Sequence, residues 1–126
     1  MKVFPQREEF ERLARDADVV PVRAEFTTDA ETPLSAYAKL SVKKPAFLLE
    51  SVVGGEQVSR YSFVGCDPRK TIACGESETV VTTRDGSRQT FPTPDDPLEI
   101  VENEVNGIRY ASVGDLPRFS GGVVGY

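Results

Sequence analysis

Four side chains in one short stretch have the types needed to hold a small charged ligand. In "AFLLESVVGGEQVSRYSFVG", residues 46–65, Glu50 and Ser51 close one apolar run, and Arg60 and Tyr61 open another. A carboxylate attracts an ammonium group, a guanidinium and a hydroxyl attract a carboxylate, and an aromatic ring offers an apolar face. Together these groups could line a pocket for a zwitterion. The same residues also fit a plain surface salt bridge between Glu50 and Arg60 beside a core tyrosine, worth at most about 1 kcal/mol. Spacing alone favours that plainer reading.

No catalytic set stands out elsewhere. The chain has no His to act as a base, and neither Cys66 nor Cys74 has an evident activator. Two Cys without His do not make a tetrahedral zinc site. The glycine pairs at 54–55 and 121–122 lack the Gly-x-x-x-x-Gly-Lys-Ser/Thr pattern of a phosphate-binding loop. The adjacent acids Glu8/Glu9 and Asp95/Asp96 suit helix starts, where the macrodipole favours negative charge.

Composition narrows the class further. The chain has 126 residues, 39% apolar and 28% charged, which fits one soluble globular domain or part of a larger one. Its net charge of −5 speaks against nucleic acid or an anionic membrane as the main partner. No apolar run approaches the roughly 18 residues of a membrane span, and the charged N-terminus lacks the apolar core of a signal peptide. These features predict a cytoplasmic protein with Cys66 and Cys74 as free thiols.

The elements that position the four residues follow from periodicity. A helix is predicted over 5–17, with Pro5 at its first position and Phe10, Leu13, Ala14 and Ala17 on one face. "VVPVRAEF" alternates as a half-buried edge strand, with Val20, Val22, Ala24 and Phe26 facing inward. Thr32 caps a second helix that starts with Pro33 and buries Leu34, Tyr37, Ala38 and Leu40. The stretch from 46 to 65 reads as a core hairpin, and "KTIAC", "ETVVTTR" and "SRQTF" as three further strands. Asp85-Gly86 marks a two-residue turn with positive φ at both positions, a register that sets Val80 opposite Phe91. Asp96, Pro97 and Glu99 start a third helix, with Leu98, Val101, Val105 and Ile108 on its apolar face. "RFSGGVVGY" reads as a strand meant for burial, and its apolar end fits equally a chain cut inside a larger fold or a C-terminal strand docked into its own sheet. Three helices and about seven strands in consecutive runs argue for an α+β fold with a largely antiparallel sheet.

"LLES", then "RYSFVG" and "DP", and finally "FSGGVVGY" resemble, in order and spacing, the N-terminal region of anthranilate synthase component I, a chorismate-utilising enzyme. The resemblance covers nearly all of residues 1–126. It implies a part of a larger two-layered α/β sandwich. It also implies that Glu50 and Ser51 match positions of a tryptophan feedback site, with Arg60 corresponding to a basic residue of that site and Tyr61 beside it. The parent enzyme would convert chorismate and glutamine-derived ammonia to anthranilate and pyruvate, with magnesium and a glutamine amidotransferase subunit. The family's catalytic acids, His and magnesium site belong to a large C-terminal region that these residues do not include. The expectation is therefore an inactive N-terminal piece carrying part of the effector site. Two alternatives remain open: aminodeoxychorismate synthase component I, and a stand-alone domain that binds an amino acid or a partner protein.

Overall fold

The computed structural model describes residues 1–126 except 44, 51–60, 115, 117 and 118. In chain order the elements are β1 (Lys2–Phe4), α1 (Arg7–Leu13), β2 (Arg23–Glu25), α2 (Pro33–Leu40), β3 (Ala46–Glu50), β4 (Ser62–Cys66), β5 (Lys70–Cys74), β6 (Glu78–Thr83), β7 (Arg88–Pro92) and α3 (Leu98–Asn106). The paired strands are all antiparallel, in the orders β1-β2, β3-β4 and β5-β6-β7. This is the α+β architecture expected from the strand runs. The chain divides into two compact units, Met1–Thr27 with Pro94–Tyr126, and Thr28–Thr93.

The first unit begins with a strand that periodicity does not announce. Phe4 pairs with Arg23 across β1-β2, and the Arg23 guanidinium lies 5.5 Å from the centroid of the Phe4 ring. Such a cation–π contact contributes about 0.5–1 kcal/mol. Pro5 follows a cis Phe4–Pro5 peptide and is buried. It turns the chain out of β1, so it does not begin the helix. The N-cap is Gln6, and α1 ends at Leu13, short of the expected Ala17. Strand β2 is shorter than the alternation of 20–26 implied. Arg23 is half-buried, while Val22 and Phe26 stay exposed.

Residues 18–19 are stitched to 109–111 in the same unit. Asp18 and Val19 donate their amides to the Arg109 carbonyl, and Ala111 donates to that of Val19. The Asp18 carboxylate accepts Nε and Nη2 of Arg109 at 3.1 and 3.0 Å, and the Arg109 amide at 2.9 Å. The guanidinium fork, then the amide, hold the Asp18 carboxyl down at about 2.

Helix α3 starts one residue later than expected, with Pro97 at the boundary and Asp96 accepting the Leu98 amide at 2.9 Å. Its expected face is only partly covered: Val101 is half-buried, whereas Leu98 and Val105 are exposed. The "SGGVVGY" segment is not a strand, and Val123, Val124 and Tyr126 are exposed.

The second unit contains the clearest local signals. Thr32 accepts the Ser35 amide at 3.1 Å, and the Ser35 hydroxyl accepts the Thr32 amide at 2.9 Å. This reciprocal cap starts α2 at Pro33, as the sequence predicts. The expected inward face is corrected: Ala36 and Tyr37 are half-buried, but Leu34, Ala38 and Leu40 are exposed. Helix α2 packs on β3 and β4.

The β6-β7 hairpin also differs from expectation. Thr83 and Ser87 close the loop, with the Thr83 amide donating to the Ser87 carbonyl at 2.9 Å and the Gly86 amide to the Thr83 carbonyl at 2.9 Å. The loop therefore has three residues, and of Asp85 and Gly86 only Gly86 has positive φ, +88°. The Asp85 carboxylate accepts the Thr83 hydroxyl and, at 2.9 Å, the Ser87 amide. Those bonds hold its carboxyl at about 2. The extra loop residue shifts the register by one, so Val80 faces Thr90 and Thr79 faces Phe91. Such a slip exchanges the two faces of a strand. On β6, Thr79 and Val81 are buried while Val80 is half-buried. Thr79 is satisfied by a 2.9 Å hydrogen bond with Thr93.

Candidate functional site

The β3-β4 hairpin brings part of the predicted set into view. Glu50 ends β3 and Tyr61 directly precedes β4; Ser51 and Arg60 lie outside the described residues. Phe47 and Leu48 are half-buried and anchor the strand, while Leu49 and Glu50 are exposed at its end. A carboxylate there keeps its hydration, which avoids the cost of burying an unpaired charge.

The register separates the polar and aromatic residues. Directly opposed residues of an antiparallel pair share a face, and neighbours along each strand alternate. One face carries the pairs Ala46/Cys66, Leu48/Val64 and Glu50/Ser62. The other carries Phe47/Gly65 and Leu49/Phe63. Tyr61 stacks on Phe63, with ring centroids 6.5 Å apart and planes 24° apart. Its ring thus belongs with Phe63, away from the Glu50 face. Gly65 is required by close approach, because a Cβ there would lie 2.2 Å from Cε1 of Phe47.

Ser62 belongs to the polar set of the stretch in sequence but not to its four candidate site residues. Its hydroxyl lies 3.5 Å from Glu50 Oε1, oriented to donate to it. The available signal was alternation in "YSF", which separates Ser62 from its two aromatic neighbours. Chemically, the Glu50/Ser62 pair offers acceptor oxygens to a cation or ammonium group, and the Tyr61/Phe63 pair offers an apolar surface.

A concavity lies elsewhere in the unit. Lys39, Leu40, Val42, Lys43, Cys66, Asp67 and Arg84 line a depression of about 280 Å³. Two of its cations are already paired. Lys39 bonds Glu31, and Arg84 donates to the Asp67 carbonyl at 2.5 Å with Nε 3.3 Å from Oδ1. Cys66 and Cys74 are free thiols. Among the described residues, no three His, Cys, Asp or Glu side chains converge as a metal donor set, and no helix is long and apolar enough to cross a membrane.

Sequence comparison supplies the wider context. No family model and no solved structure matches significantly. Curated proteins do match. Anthranilate synthase component 1 of Acetivibrio thermocellus is 35% identical over 98% of this chain, and that of Synechocystis sp. 39% identical over 98%. The probable anthranilate synthase component 1 of Schizosaccharomyces pombe is 38% identical over 100% of it. The chain spans about a quarter of the length of these relatives, 24%, 24% and 23% respectively. It is thus an antiparallel α+β region related to a synthase component. Specifically, it resembles anthranilate synthase component 1, and the match is consistent with an N-terminal region of that protein.

Proposed function

We propose that this chain is the regulatory and structural N-terminal region of an anthranilate synthase component I, and that its β3-β4 hairpin contributes to a tryptophan feedback site. The observation that carries this reading is the 35–39% identity spread over 98% of the chain in the first two relatives. The exposed Glu50/Ser62 pair at the end of the hairpin adds chemical support, because carboxylate and hydroxyl oxygens suit an amino acid's ammonium group. Ser51, Arg60 and Tyr61 belong to the same proposal.

In this reading the whole protein converts chorismate and glutamine-derived ammonia to anthranilate and pyruvate, with an amidotransferase subunit delivering the ammonia. In the same reading, magnesium is held by the rest of that protein. Tryptophan acts by binding one state of the enzyme better than the other, and it shifts the equilibrium only by that differential affinity.

The test uses the full-length gene product with its amidotransferase partner, chorismate, glutamine and magnesium. Anthranilate is followed by fluorescence while tryptophan is titrated. The expected result is anthranilate formation that tryptophan inhibits. Aminodeoxychorismate as product would assign the chain to the folate-pathway relative instead. Ser51→Ala should raise the half-inhibiting tryptophan concentration roughly tenfold, the equivalent of about 1.4 kcal/mol. Unchanged inhibition would remove Ser51 from the site.

A further inference from the structure

We propose that Arg84 and Asp67 form a releasable latch across a hinge inside the Thr28–Thr93 unit. Two layers meet at that hinge. Helix α2 packs on β3 and β4, and among the described elements none of these three packs on β5, β6 or β7. Strand β4 pairs with β3, whereas β5 pairs with β6. The chain passes from β4, which ends at Cys66, to β5, which begins at Lys70, through Asp67, Pro68 and Arg69. Asp67 has φ of +55°. That region is uncommon for a residue with a Cβ and marks a position held there by its surroundings.

Arg84 supplies the hold from the three-stranded layer. Its Nη2 donates to the Asp67 carbonyl at 2.5 Å, and its Nε lies 3.3 Å from Asp67 Oδ1. One guanidinium thus grips both the backbone and the side chain of the residue at which the chain turns. The loop that carries Arg84 is itself fixed. The Arg84 amide donates to the Arg69 carbonyl at 3.0 Å, and the Asp85 carboxylate ties Thr83 to Ser87. The grip also bounds the depression described above, which Leu40, Val42 and Cys66 line from the α2-β4 side and Arg84 from the other. The Arg84 and Asp67 side chains are 61% and 43% exposed. Water and salt compete for such a pair, so it can open without unfolding either layer. Opening swings the layers apart about residues 67–69 and uncovers the half-buried Cys66.

The experiment follows alkylation of Cys66 by iodoacetamide in the full-length gene product, resolved by site with mass spectrometry. The exposed Cys74 serves as internal reference. Arg84→Met keeps the aliphatic stem and removes the grip; it should speed Cys66 about threefold and leave Cys74 unchanged. Asp67→Asn tolerates positive φ but gives up the charge, so it should speed Cys66 less. In the Arg84→Met background it should add nothing, because its partner is already gone. An unchanged Cys66 rate in Arg84→Met would overturn the latch. So would equal acceleration of Cys66 and Cys74, which is a loosening of the whole unit. Effects of the two substitutions that multiply in the double variant would overturn the pairing. Tryptophan plays no part in this measurement, so its outcome is independent of the feedback-site reading.

Discussion

At the scale of single residues, one marked electrostatic contact lies far along the sequence from the candidate site. Asp18 takes three hydrogen bonds from Arg109, and its carboxyl is held at about 2, against about 3.9 for an unperturbed aspartate. A carboxylate with a folded pKa below its unfolded one adds stability above the unfolded value and loses it as pH falls through the folded one. The window thus runs from about pH 4 down to about pH 2. Asp18→Asn should melt below wild type at pH 7, and the gap should close across that window in thermal scans. A gap that ignores pH would assign the loss to packing. The sequence gives no hint of this pair, because its partners lie 91 residues apart. Glu50 was legible as a lone acid after an apolar run. Ser62 was legible as a polar residue of the same stretch but not as the partner of Glu50, because a cross-strand pair depends on register.

At the scale of elements, local chemistry was the most readable. Thr32 and Pro33 start α2 where the sequence places them, and the strands from 70 to 92 form in their predicted order. Loop length was less readable. "DG" locates the hairpin tip, but the Asp85 bonds to Thr83 and Ser87 make Arg84 part of a three-residue loop. That one residue moves Val80 from Phe91 to Thr90. Gly86 is the position that permits this loop, with φ of +88°. Gly86→Ala should therefore cost about 1 kcal/mol or more in urea unfolding, and Gly86→Asn less, because asparagine tolerates the left-handed region better. Equal stability of all three would mean that the turn adopts another geometry.

At the scale of the whole molecule, the α+β class followed from composition and strand order, but the extent of burial did not. Periodicity identifies which side chains favour burial; it does not say whether this chain supplies the surface that covers them. Among the described residues Val81 is the one buried large hydrophobic, while Phe26, Leu34, Val42 and Leu98 are 73%, 66%, 81% and 71% exposed. Apolar surface of this kind invites association. The 126-residue polypeptide expressed alone should enhance the fluorescence of an apolar dye, and its mass by light scattering should exceed 13.8 kDa. A monodisperse monomer that leaves the dye dark would show that these side chains find cover within the chain.

The opposed faces of the β3-β4 hairpin have one more consequence. The two sides of this ribbon carry different side chains, so a change on one side need not disturb the other. Glu50 and Ser62 can change the charge offered to a ligand while the aromatic stack of Tyr61 and Phe63 and the close fit of Phe47 over Gly65 keep the ribbon in shape. In the proposed feedback site, sensitivity to an effector and structural integrity would fall on separate surfaces of the same five-residue strands. Such a ribbon could lose its regulation without losing its fold.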